Sequence, residues 1–143
     1  MLLTELIQFI KHTHRIKNKE SFQWTDEGLV QYLSWAFSRD YLFIDSDENG
    51  LTGCLVVYPL PSPSDGSTKS LLPSDSIILR DDEISKELVL MDMICNTSKA
   101  RHNIMNKFMK RFPNWMHQKK WAGRRNTIKV LENRWVELTS KLN

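Results

Sequence analysis

The apolar residues of this chain change period several times, and each change marks an element. Leu2, Leu3, Leu6, Ile7, Ile10 and Ile16 recur at helical spacing, so residues 2–17 are expected to form a helix that packs one face. Thr25, Asp26 and Glu27 then offer a cap and first-turn acids for a second helix. Its broad apolar face comprises Leu29, Val30, Leu33, Trp35, Ala36 and Phe37, and Phe22 and Trp24 just before it read as a staple or a lid. The pattern next turns to strands. Tyr41 to Asp45 and Leu51 to Tyr58 are joined at Asp47-Glu48-Asn49-Gly50, where Asn-Gly supplies the positive φ angles of a tight hairpin turn. Gly53 inside the second strand predicts a bulge or a close backbone approach.

Pro59 to Asp75 holds four of the five prolines and reads as a long loop able to cover a cleft. A short strand is expected at Ser76 to Arg80, followed by the acidic turn Asp81-Asp82-Glu83. Leu88 to Cys95 is a nearly unbroken apolar run interrupted by Asp92, which suits a strand buried on both faces. Asn96, Thr97 and Ser98 are successive helix caps, and Ile104, Met105, Phe108, Met109 and Phe112 form the apolar stripe of the helix that Pro113 stops. Trp121 to Arg125 and Thr127 to Leu131 are expected to form a hairpin, while Asn133 to Leu142 fits either a strand or a short helix. The whole is read as one α+β domain over residues 1–143, a mixed central sheet flanked by helices.

Charge adds an asymmetry. Residues 1–98 hold 8 Lys/Arg against 15 Asp/Glu, whereas residues 99–143 hold 12 against 2. An acidic front and a basic back point to an anionic ligand or partner near the C-terminal third: nucleic acid, a phosphorylated cofactor or an acidic protein. No apolar run approaches the ~20 residues of a membrane span, and the first residues do not read as a signal peptide. Two cysteines make no disulfide framework, so a reducing, cytoplasmic setting is expected.

The unit from Leu88 to Pro113 carries the main candidate chemistry. A helix that opens beside a strand end aims free backbone N–H groups and a positive dipole at one place, which suits an anion such as a cofactor pyrophosphate. An ordinary capped strand–helix unit has the same sequence signature. Cys95 beside His102 is a conceivable nucleophile, although a structural cysteine fits the apolar run better. His14, near the end of the first helix, is a candidate general base, whereas His12 reads as an ordinary helix-end histidine favoured by the dipole. The basic side chains Arg101, Lys107, Lys110 and Arg111, with Lys119, Lys120, Arg124 and Arg125, can line a nucleic acid, and Trp115 and Trp121 among them can stack on bases. No metal-ligand spacing, Gly-rich phosphate loop or Gly-x-Ser-x-Gly motif is found.

The order of helix, helix, hairpin, long loop, strand, amphipathic helix and further strands resembles the GNAT N-acyltransferase fold over roughly residues 1–131. In that family the strand matching Leu88 to Ile94 splays from its neighbour and pairs with the pantetheine arm of acyl-CoA, and the following turn wraps the pyrophosphate. The resemblance implies donor contacts at Met93, Ile94, Ser98, Lys99, Arg101, His102 and Asn103. The family's turn is glycine-rich, whereas Asn96 to Asn103 holds no glycine. A narrower likeness is to the toxin-activating lysine acyltransferases, carried by His14-Arg15, Tyr41-Leu42, Met91-Asp92-Met93-Ile94 and Lys110-Arg111-Phe112-Pro113. It implies His14 and Asp92 as a catalytic pair and an acyl carrier protein as donor, an acidic partner that needs no pyrophosphate loop. Small GNAT-like proteins of bacteriophages are also similar, and they imply the second reading. That reading is a non-catalytic binding protein engaging nucleic acid or a protein through its basic C-terminal third.

Overall fold

A computed structural model describes residues 3–17, 26–60, 65, 87–124 and 127–142; the side chains of residues 13–17, 26, 92, 123, 124 and 127 fall outside the description. The chain runs α1 (Leu3–Lys17), α2 (Asp26–Ser38), β1 (Leu42–Asp47), β2 (Gly50–Pro59), β3 (Glu87–Cys95), α3 (Ser98–Arg111), a 3-10 turn (Trp115–His117), β4 (Lys119–Arg124), β5 (Thr127–Leu131) and α4 (Asn133–Ser140). The expected strand at Ser76 to Arg80, the pair Phe22 and Trp24, and most of the proline-rich loop lie outside the described residues. Asn133 onward, compatible with strand or helix in sequence, is helical.

The described strands form one sheet in the order β1-β2-β3-β4-β5. Pairing is antiparallel except for β3 and β4, which run parallel and are joined through α3. The architecture is therefore α+β with a mixed sheet. β2 lies at its heart, and Thr52 to Leu60 are all buried. Alternation along a strand puts Gly53 and Tyr58 on opposite faces. A Cβ on Gly53 would meet Ile104 of α3, whereas Tyr58 packs edge-on against Trp35 of α2, so helices cover both faces. A strand covered twice must be apolar throughout, which is why Cys54 to Tyr58 shows no polar alternation.

Two bulges shape this sheet. Asp45 pairs with Gly53 but Ser46 with Leu51, so Thr52 is an extra residue on β2. Cys54 pairs with Ile94 but Val56 with Met91, so Asp92 and Met93 of β3 face Leu55 alone. The close approach expected at Gly53 is present. An added Cβ would lie 2.7 Å from Ile104 Cδ1 and 3.0 Å from the Ile94 carbonyl oxygen. The hairpin forms at the expected place, but within it positive φ is taken by Gly50 alone (+121°), which pairs with Asp47 across the two-residue turn Glu48-Asn49.

Candidate functional site

The strongest candidate lies where β3 hands over to α3. β3 and β4 pair only from Glu87↔Lys119 to Leu90↔Ala122. Beyond Leu90 the Asp92–Met93 bulge intervenes, and a bulge bends its strand and increases local twist. β4 meanwhile continues to Arg124 in full pairing with β5. Among the described residues, Met91 to Cys95 therefore has β2 on one side and no β4 partner on the other. The two parallel strands are thus unpaired beyond Leu90, along the part of β3 that holds half-buried Met93 and buried Ile94.

The turn after β3 is built tightly. The Asn96 N–H donates to the Thr52 carbonyl at 2.8 Å, so the bulged residue of β2 holds the start of the turn. Thr97 is the N-cap in extended conformation, and its Oγ1 accepts from the Ala100 N–H at 3.0 Å. That leaves the N–H groups of Ser98 and Lys99 at the helix mouth, where an α-helix offers them no internal acceptor. Both residues are exposed, and neither is acidic. The dipole of a 14-residue helix thus ends in an open, electropositive turn.

Acid and amide side chains fix this turn against the hairpin. Asp45 accepts from Thr52 Oγ1 at 3.0 Å through one oxygen and from Asn103 Nδ2 at 3.1 Å through the other. One turn further on, Lys107 Nζ donates to the Ile44 carbonyl at 2.8 Å. Another edge of α3 is tied to α4: His102 Nδ1 donates to the Ser140 carbonyl at 2.7 Å, and Asn106 Nδ2 donates to the same oxygen at 3.2 Å. Half-buried Arg101 stands near Cys95, and its Nε is buried without a hydrogen-bond partner. Burial pushes the Cys95 thiol up to about 11; Arg101 opposes the rise and Asp45 adds to it. Such a thiol is not a nucleophile at neutral pH, and the ring of His102 is engaged with α4.

The predicted donor contacts therefore divide. Met93 and Ile94 lie on the part of β3 that has no β4 partner and Ser98, Lys99 and Arg101 in the first turn of α3, whereas His102 and Asn103 brace α3 against α4 and β1. His14 falls in α1 and Asp92 in β3, and the side chains of both lie outside the described residues. Sequence reasoning missed Asp45 and Thr52, which organise the turn. The one signal for them was Gly53, whose bulge lies next door at Thr52.

The basic C-terminal surface differs from expectation. Lys120 is only 2 % exposed. Its Nζ donates to the Trp115 carbonyl, the Gln118 carbonyl and Asn133 Oδ1 at 2.7, 2.7 and 2.6 Å. This lysine cannot reach a phosphate. Trp115 and Trp121 are likewise buried, so they present no face for base stacking. Lys119 is exposed and lies 4.3 Å from the Trp121 ring centre. The Arg124 side chain and Arg125 lie outside the described residues. On α3, Arg111 donates to the Arg39 carbonyl at 3.2 Å and covers the rings of Tyr41 and Phe112.

Among the described residues no helix is long and apolar enough to cross a membrane, and no group of three or more His, Cys, Asp or Glu side chains is placed to hold a metal. No family model, curated protein or solved structure matches the chain.

Proposed function

We propose that this chain is a GNAT-like acyltransferase that moves an acyl group from a thioester donor, acyl-CoA or an acyl carrier protein, to an amine. The observation that carries the reading is the parallel β3–α3–β4 unit whose strand pairing stops after Leu90, just before the open mouth of α3. A half-paired strand offers N–H and C=O groups to the amides of a pantetheine arm, and the Ser98 and Lys99 N–H groups suit its phosphate. Arg101 and Lys99 add positive charge at the same mouth. In the reaction the neutral amine nitrogen attacks the thioester carbonyl, the C–S bond breaks and the thiol leaves. His14 takes the proton that the amine loses and passes it to the departing thiolate, and Asp92 orients and stabilises the imidazolium in between.

The turn holds no glycine, so backbone approach to a pyrophosphate is restricted on every residue from Asn96 to Asn103. A carrier protein presents a single phosphodiester and an acidic surface, which the exposed Lys99 at the helix mouth complements. Carrier protein is therefore the preferred donor. The binding-protein alternative loses Lys120, Trp115 and Trp121 as nucleic-acid contacts, because all three are buried.

Thermal shift against acyl-CoA and acyl carrier protein is the first test. A donor at a hundred times its dissociation constant stabilises the fold by about 2.7 kcal/mol. His14→Ala and Asp92→Asn are then expected to abolish acyl transfer while leaving the folded state intact. A wild-type chain inert towards a broad panel of donors and amines rules the proposal out.

A further inference from the structure

The β1–β2 turn carries chemistry that the candidate site does not use. Of the nine asparagines in the chain, Asn49 alone precedes a glycine. A residue without Cβ leaves room for its own backbone nitrogen to reach the neighbouring side-chain amide. Here the pair sits at an exposed tip. Glu48, Asn49 and Gly50 are all exposed, and Glu48-Asn49 is the whole turn between Asp47 and Gly50, which pair across it. The turn holds Asn49 by its backbone, whose N–H donates to Asp47 Oδ1 at 2.8 Å. The Asn49 side-chain amide has no partner among the described residues. Gly50 lies at φ +121°, and a Cβ built on it would meet nothing within 4 Å, so the space beside its backbone is open.

We propose that Asn49 is a site of slow, irreversible self-modification, its conversion to isoaspartate loosening the end of the hairpin that braces the mouth of α3. The Gly50 backbone nitrogen gives its proton to water and attacks the carbonyl carbon of the Asn49 side chain. A new C–N bond closes a cyclic imide, the bond to the amide nitrogen breaks, and ammonia leaves with a proton from water. Water then opens the ring. Opening at the side-chain carbonyl gives aspartate, and opening at the main-chain carbonyl gives isoaspartate. In sum, an amide and a water become a carboxylic acid and ammonia.

The isoaspartate product changes the turn itself. Its main chain runs through Cβ and Cγ of Asn49, so the turn gains one backbone atom. A two-residue turn fixes the register of its strands, and a longer path cannot close the same Asp47–Gly50 pair. Ser46–Leu51 is then the last pair before the bulge at Thr52. That bulge is the brace: Thr52 donates to Asp45, its carbonyl accepts the Asn96 N–H, and Asp45 accepts from Asn103. The new carboxylate also stands beside the exposed Asp47 and Glu48, where like charges repel. The modification is independent of acyl transfer.

The test ages the full folded chain at mildly alkaline pH, below its unfolding temperature. Peptide mass spectrometry with electron-based fragmentation then separates aspartate from isoaspartate at each asparagine. Acetyl-Asp-Glu-Asn-Gly-Leu-amide, incubated alongside, sets the intrinsic rate of the pair. Conversion at Asn49 is expected to run about tenfold or more faster than at any other asparagine, since only its neighbour lacks a Cβ. Amide exchange then reads the brace. The Asn96 N–H should exchange faster in the isoaspartate form than in the fresh chain. Asn49→Asp, which adds the charge at an exposed position without lengthening the turn, should leave that exchange unchanged. Asn49 intact in the folded chain after the peptide has fully converted overturns the proposal. So does conversion at another asparagine as fast as at Asn49, or Asn96 exchange that is equal in the fresh and isoaspartate forms.

Discussion

Replacing Lys120 with methionine tests the buried ammonium directly. Methionine keeps an unbranched apolar stem and removes only the charged head. Three acceptors lose their donor: the carbonyls of Trp115 and Gln118 and Oδ1 of Asn133. They do not lose equally. The Trp115 carbonyl also accepts from the Gln118 N–H at 3.3 Å, so it keeps one partner. The Gln118 carbonyl and Asn133 Oδ1 each lose a bond from a charged donor in part-buried surroundings, a loss of ~1.5–3 kcal/mol apiece. Against this, the variant no longer desolvates an ammonium, which in proteins costs several kcal/mol. The hydrogen bonds of a charged donor, each contributing ~1.5–3 kcal/mol, offset that cost in the wild type. The expected net loss is about 2–4 kcal/mol. Urea unfolding reads it as a lower midpoint at unchanged slope. Burial holds the Lys120 ammonium below its usual 10.5. Between that lowered value and 10.5 the unfolded chain binds more protons than the folded one, so stability rises with pH there. The wild type's advantage over Lys120→Met should accordingly grow as pH rises through that window. A stability loss under about 0.5 kcal/mol, the range of ordinary surface changes, would refute the reasoning.

Three further outcomes follow from the same geometry. Gly53→Ala forces a Cβ to 2.7 Å from fully buried Ile104 and should destabilise by ~1–3 kcal/mol, measured by denaturant unfolding. Thr97→Ala removes the cap on the Ala100 N–H and should cost ~1 kcal/mol, read by the same assay, with faster hydrogen exchange confined to the first turn of α3. Cys95, its thiol pushed up to about 11, should resist an aromatic disulfide reagent at pH 8 in the folded protein and react once unfolded; rapid labelling of the native chain would contradict its burial.

Much of the scaffold was legible because it rests on local signals. Asn49-Gly50 marks a hairpin, an apolar run followed by Thr97 and a helical stripe marks β3 and α3, and both predictions match the structure. Asn133 to Leu142 stayed open because Trp135, Val136 and Leu138 fit either period over so short a span. The candidate site was less legible, because direction around α3 is a tertiary property. His102 and Asn103 look like mouth residues in sequence, yet α4 and β1 supply acceptors that turn them aside. Lys119 and Lys120 look alike as a solvated pair. Strand alternation sends only the second towards the 3-10 turn, where the Trp115 and Gln118 carbonyls accept from it. The Asp92–Met93 bulge left no trace in composition, since no glycine accompanies it.

The short β3–β4 pairing divides the sheet into two leaves of unequal cooperativity. β1, β2 and β3 are joined along their length, with helices on both faces of β2. β4 and β5 attach to that leaf through four residue pairs, reinforced by the Trp121 indole N–H donating to Glu87 Oε1 at 2.6 Å and by the bonds from α3 to Ser140. Local unfolding follows such seams. Amides of β4 and β5 should therefore exchange with solvent through a shared sub-global opening, at a lower free energy than those of β2. The same seam ends where Met91 to Cys95 has no β4 partner, so a ligand that wedges between the leaves would tune how often the second leaf detaches.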